Sequence, residues 1–232
     1  MKVIRPEWSA RENVRAFFTT RAGGVSPSPY DSLNLGMHVG DDPANVEENR
    51  RRVRKLLPAE PCWLDQVHGT RVIDAGSEGV READASFTKQ EKVVCAIMTA
   101  DCLPVLFAGK GSVGAAHAGW RGLASGILER TVETIGEDDL IACLGPAIGP
   151  EAFEIGEEVL DAFPNESRAF FRIEGKWHAD LFAISRMKLE KSGVKQVSGG
   201  HFCTHGNPEK FFSYRRDGRT GRMGAFIWLE SI

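Results

Sequence analysis

No run of apolar residues in this chain approaches the roughly 20 that a membrane-spanning helix needs. Neither sign of charge dominates. Lys and Arg number 29 and Asp and Glu 32, for a formal net charge of −3, which gives no footing for nucleic acid or an anionic membrane surface. The cysteines number five, an odd count without framework spacing. That excludes a disulfide scaffold and predicts reduced thiols in a cytoplasmic setting. The start, Met1-Lys2-Val3-Ile4-Arg5-Pro6, lacks the apolar core of a secretory signal. Linkers, repeats and low-complexity segments are missing, so one domain over residues 1–232 is expected. The six histidines include no His-X-His pair, a poor supply for the roughly ten ligands of a multicopper oxidase. Nothing here sets an oligomeric state.

What is present is a globular composition, with 42% hydrophobic and 26% charged residues, enough for a sizeable core. The patterns predict strands at 14–20, 62–67, 93–98, 105–108, 112–116, 140–144, 211–216 and 222–229, with a further extended piece at 70–74. Helices are expected at 44–57, 123–135, 157–163 and 178–189, the first opened by Asp42-Pro43. The run Asn49-Arg50-Arg51-Arg52-Val53-Arg54-Lys55 follows Glu47-Glu48 and reads as a charged helix face. Strands and helices mix without clean βαβ alternation. That points to an α/β or α+β domain with mixed β-sheets layered between helices. Cys62, Cys95 and Cys143 sit in apolar surroundings and read as core.

Three segments end on a soft metal ligand beside glycine or proline: Gln66-Val67-His68-Gly69, Asp101-Cys102-Leu103-Pro104 and Ala116-His117-Ala118-Gly119. All three lie at predicted strand ends. Zinc fingers bring their ligands in local pairs, whereas His68, Cys102 and His117 would have to be assembled by the sheet. Two imidazoles and a thiolate suit zinc with one position left for water or substrate, hence catalysis. Copper would also occupy such N/S ligands in vitro. Asp101 beside Cys102 is a candidate orienter or general base. In His201-Phe202-Cys203-Thr204-His205 the alternate residues share a face if extended, which makes a candidate second metal site.

Arginines supply fixed positive charge for a phosphate. The candidates are Arg21 in a glycine-rich turn, Arg50 on the first helix, Arg121 four residues beyond a proposed ligand, and Arg215-Arg216. Asn34 and Tyr214 can hydrogen-bond a heterocycle or sugar. Asp101, Arg50 and Cys102 are the catalytic candidates, and Asn34, Arg21, Arg121 and Tyr214 the substrate-binding ones.

Taken together, these motifs resemble the YfiH family, long labelled a multicopper polyphenol oxidase or laccase domain. Further matching stretches are Thr19-Thr20-Arg21-Ala22-Gly23-Gly24-Val25-Ser26, Ser32-Leu33-Asn34-Leu35-Gly36, His38-Val39-Gly40-Asp41-Asp42, Leu144-Gly145-Pro146-Ala147-Ile148-Gly149-Pro150 and Phe212-Ser213-Tyr214-Arg215-Arg216-Asp217-Gly218-Arg219-Thr220-Gly221-Arg222. The resemblance implies a CNF1/YfiH-like fold and zinc on His68, Cys102 and His117. It also implies phosphorolysis of adenosine, inosine and 5′-methylthioadenosine, together with adenosine deamination, with purine nucleosides and phosphate as partners. The alternatives it carries are phenol oxidation with copper and editing of cell-wall precursors. One departure is Phe153, where the family often has tyrosine.

Overall fold

The computed structural model describes residues 1–231. Its strands, in chain order, begin β1 Val3–Ile4, β2 Val14–Thr19, β3 Pro61–Cys62, β4 Val72–Asp74, β5 Ala85–Thr88, β6 Val94–Thr99 and β7 Leu103–Ala108. They continue β8 Val113–Ala118, β9 Ile141–Leu144, β10 Phe170–Ile173, β11 Lys176–Ala179, β12 Gln196–Gly199 and β13 Met223–Leu229. The α-helices are α1 Pro43–Arg54, α2 Trp120–Ser125, α3 Ile127–Ile135, α4 Glu157–Asp161, α5 Leu181–Lys191 and α6 Tyr214–Asp217.

Two mixed sheets dominate, in the orders β1-β2-β13-β6-β3 and β12-β9-β7-β8-β5-β4, while β10 and β11 pair as a separate hairpin. Alternation along each strand assigns side chains to layers. Phe18, Ile97 and Ala225 of the first sheet pack on Leu106, Val113, Ala115 and Cys143 of the second, which fills the space between them. On the far side of the second sheet, Leu103, Val105 and Phe107 meet Leu123, Leu128, Leu181 and Ile184 from α2, α3 and α5. On the far side of the first, Phe17, Met98 and Phe226 meet Val53 of α1 and the loop residues Leu33 and Leu35. The result is the expected stack of mixed sheets between helices. Cys62, Cys95 and Cys143 are buried core residues, as their surroundings predict.

Local chemistry sets the element ends. The Asp42 carboxylate accepts from Ala44 N to cap α1, with Pro43 in the first turn, and Asp180 does the same for α5 through Ala183 N. Glu48 pairs with Arg51 and Arg52 on the exposed face of α1. Three expectations are corrected. The helix over 123–135 is two helices, because Gly126 adopts φ +92° and stops the first. The strand over 62–67 ends at Cys62. Beyond it, the Gln66 side-chain amide takes the ladder's place, donating to Met98 O (2.8 Å) and accepting from Met98 N (2.8 Å). Residues 211–216 form no strand, since the Ser213 hydroxyl caps the short α6 by accepting from Arg216 N. Strand β5 and the β10–β11 hairpin are additions with no clear alternation in the sequence.

Candidate active site

The turn between β6 and β7 and the end of β8 lie side by side, because Pro104 pairs with His117 in the antiparallel β7–β8 register. This brings Cys102 and His117 together, and the loop after Leu64 brings His68 to the same point. Cys102 Sγ lies 3.8 Å from His68 Nε2. The two imidazole rings meet edge to face with centroids 4.7 Å apart. One ligand atom from each residue falls within 4.8 Å of the others. Ligands around a tetrahedral zinc with bonds of about 2.0–2.3 Å sit roughly 3.4–3.8 Å apart, so small side-chain adjustments close the set. The donor chemistry and spacing fit one ion. A β-carbon at Gly119 would stand 3.0 Å from both Cys102 Sγ and His68 Cδ2, so glycine there keeps the centre clear.

The sequence reading missed Asp84. It is fully buried, and its Oδ1 lies 2.8 Å from His117 Nδ1. Three consecutive backbone amides also converge on the carboxylate, Val67 N (3.1 Å), His68 N (2.9 Å) and Gly69 N (2.6 Å). The acid thus fixes the His117 ring through Nδ1, leaving Nε2 for the centre. It also holds His68 at φ +61°, a left-handed conformation that a non-glycine residue adopts only under constraint. Burial pushes the Asp84 pKa up, but the His117 contact and the amides outweigh it and hold the carboxyl below its ordinary value. Burial likewise pushes the Cys102 thiol up, yet its attraction to His117 and the His68 bond bring it down to about 6. His117 rises to about 9, the Cys102 charge and the Asp84 bond overcoming burial.

The three ligands line a cavity of about 530 Å³. Trp120, Ile148, Phe153 and Leu181 give it apolar walls, and Arg121, Tyr214, Arg215 and Arg222 bring polar groups to it. Among the described residues no carboxylate lies within ion-pair distance of Arg121, Arg215 or Arg222. The ion pairs of the fold involve other arginines.

The other predicted site residues divide. Arg121 and Tyr214 line the cavity. Arg21 does not reach it; its guanidinium donates to Asp31 O and Pro208 O and pairs with the Asp31 carboxylate. Asn34 is wholly buried, its amide donating to Asp41 Oδ2 and its Oδ1 accepting from Gly36 N and Arg222 N. That leaves it nothing to offer a substrate. Arg50 lies behind the wall, over the Trp63 ring (4.0 Å) and against Met98 Sδ, with its Nε donating to Leu35 O. Asp101 borders the cavity, but its carboxylate is committed elsewhere. Oδ1 accepts from the Thr204 hydroxyl, and Oδ2 from the Ser213 hydroxyl and Arg215 N. A proton taken up there would break this brace, so the general-base role does not fit. The second metal site does not form either. Cys203 Sγ accepts from Gly149 N and Gly206 N, His201 lies against Phe202, and no ligand cluster gathers there among the described residues.

Fold and site define a class: a mixed two-sheet α/β protein whose arginine-lined cavity carries a His-Cys-His group able to hold a metal ion. The chain belongs to the family described as multi-copper polyphenol oxidoreductase laccase, whose model matches residues 15–230. It is 52% identical to the purine nucleoside phosphorylase PA4543 of Pseudomonas aeruginosa, over 98% of both chains. It is 50% identical to the purine nucleoside phosphorylase YfiH of Escherichia coli, over 98% of this chain and 99% of that one. The crystal structure of the Neisseria meningitidis protein NMB0706 superposes with a TM-score of 0.95 at 47% identity, covering all of both chains.

Proposed function

We propose that this chain is a zinc-dependent, cytoplasmic purine nucleoside phosphorylase acting on adenosine and inosine. The observation that carries the reading is one cavity holding both a three-ligand metal centre and three arginines free of carboxylate partners. Phosphorolysis calls for both features, because it brings a phosphate dianion to a nucleoside and sends charge onto the departing base. The relatives' printed activity points the same way.

His68, Cys102 and His117 would hold the zinc ion, which supplies Lewis acidity toward a departing base or a water nucleophile. The chain's own residues do the rest. Trp120, Ile148, Phe153 and Leu181 cover the purine and exclude water from it. Asp84 keeps the His117 proton on Nδ1, away from the cavity. An arginine of the cavity holds phosphate, one oxygen of which forms a bond to the anomeric carbon as that carbon's bond to the purine nitrogen breaks. The electron pair leaves with the purine, which takes up a proton, and ribose 1-phosphate is the other product. Phosphorolysis of 5′-methylthioadenosine follows the same course. Deamination of adenosine belongs to the same reading, with water adding at C6 and ammonia departing.

The test is zinc-loaded protein incubated with inosine and phosphate, with hypoxanthine and ribose 1-phosphate measured by chromatography. Cys102→Ala removes the thiolate and should abolish both metal binding and turnover. Full turnover of inosine by metal-free Cys102→Ala would defeat the assignment.

A further inference from the structure

Phosphorolysis needs a place for the anion distinct from the place for the base. We propose that inorganic phosphate binds at the Arg222 guanidinium, where the metal-containing cavity meets a second cavity, with Thr220 and His38 completing the subsite. This rests on the phosphorylase reading and assigns its anion site.

The two cavities, about 530 and 350 Å³, share His38, Tyr214 and Arg222. An anion at Arg222 is therefore reachable from one cavity and adjacent to the other. Arg222 is partly buried and its geometry is fixed. Its backbone N–H donates to Asn34 Oδ1 (2.9 Å), and its carbonyl accepts from Leu35 N (3.1 Å). Gly36 makes room for its stem, since a β-carbon there would come within 2.8 Å of Arg222 Cγ. Its Nη1 donates to Thr220 O and Gly221 O, both 3.1 Å away. That sets the plane of the fork, and Nε and Nη2 have no protein acceptor among the described residues. A partly buried guanidinium with open donors and no carboxylate at ion-pair distance among the described residues is costly unless an anion completes it.

Two further observations mark the spot. The Thr220 hydroxyl is buried, has no hydrogen-bond partner, and belongs to a residue lining the second cavity. His38 lines both cavities, and burial, then the charges of Arg222 and Arg50, hold its imidazole below its ordinary pKa. The competing arginines are placed differently. Arg219 spends its Nε on the Tyr30 hydroxyl and its Nη2 on Gly40 O. Arg121 is exposed and lies over its neighbour Trp120, and Arg215 is exposed and bonded to Glu154 O.

The experiment pairs kinetics with direct binding. Metal-loaded wild type, Arg222→Gln, Arg222→Lys and Thr220→Val are assayed with inosine at varied phosphate, and inorganic phosphate alone is titrated calorimetrically into each. Arg222→Gln should raise the KM for phosphate about tenfold or more, from loss of a charge-assisted pair of hydrogen bonds. The KM for inosine should move little, Arg222→Lys should recover part of the loss, and Thr220→Val should show a smaller rise without loss of charge. Unchanged phosphate KM in a phosphorolytically active Arg222→Gln protein overturns the subsite and leaves the phosphorylase reading intact. If wild type makes no hypoxanthine, that reading fails and calorimetry decides the subsite alone. Phosphate binding that disappears with Arg222→Gln supports it. Binding that persists in the variant, or is absent from wild type, overturns it.

Discussion

Asp84 connects the proposed metal site to the stability of the fold, and Asp84→Asn separates the two contributions. The carboxylate receives four N–H donors, from His117 Nδ1 and the amides of residues 67, 68 and 69. Asparagine keeps the shape and one acceptor oxygen, but turns the other position into a donor facing N–H groups. Donors left unsatisfied in a buried site cost about 1–3 kcal/mol each, so with two orphaned the metal-free protein should lose about 2–6 kcal/mol. Urea unfolding of metal-free wild type and variant reads this directly.

The metal-dependent part is separate. Without the acid, His117 is free to place its proton on Nε2, and His68 is free to leave its left-handed conformation. Loss of such a partner weakens metal binding about 10- to 100-fold, measurable by competition with a chromophoric chelator. The reasoning predicts that both quantities fall. A variant that unfolds more easily yet binds zinc within about twofold of wild type would show that Asp84 only staples the loop, and would refute the orienting role.

Gly119→Ala places a methyl 3.0 Å from Cys102 Sγ and from the His68 ring carbon Cδ2 and should weaken metal binding more than it lowers the metal-free Tm; metal stoichiometry and calorimetry check this. Asn49 donates to Ser26 Oγ, Ser32 O and Asn34 O and accepts from Val25 N while fully buried. Asn49→Ala should therefore cost about 3 kcal/mol or more in urea unfolding, far beyond Arg51→Ala on the same helix. His38, with its folded pKa below the ordinary 6.5, binds its proton less readily than the unfolded chain does. It should therefore withdraw stability as pH falls from about 6.5 toward its folded value. Its C2 proton followed by NMR should titrate below 6.5, and His38→Gln should flatten that part of the pH–stability curve. Inorganic phosphate should raise the His38 midpoint.

The layered α/β architecture was legible because apolar strands such as Val94–Thr99 and Met223–Leu229 are buried along their whole length and read as continuous apolar runs. The errors occur where tertiary contacts replace local pattern. Gln66 pairs with strand β6 through its side chain, so the strand expected there has no reason to continue. Phe211 and Phe212 look like strand residues, but they bury into a small cluster with Met223 while the amide of Arg215 turns toward Asp101. Asn49 sits in a run of arginines, and only the loops folded against α1 reveal that it faces inward.

The site shows the same division more sharply. Ligands and arginines are visible in a sequence because their chemistry belongs to the residue itself. The groups that direct them are not, because their chemistry belongs to a register. Asp84 stands opposite His117 only because Ala85 pairs with Ala116 across β5 and β8, and the ladder continues with His117 N donating to Asp84 O at 2.7 Å. One faint signal existed, a lone acid between alanines in Ala83-Asp84-Ala85, where a strand entering a core rarely carries an unpaired charge. Asn34 errs in the opposite sense. Its motif is conspicuous and its amide suits a substrate, yet it acts at one remove, fixing the backbone of Arg222. A polar residue inside a conspicuous motif therefore has two readings, contact and support. They are told apart by the donors around it: a side chain whose hydrogen bonds are all met by the protein supports, and one left with open donors, as Arg222 is, contacts.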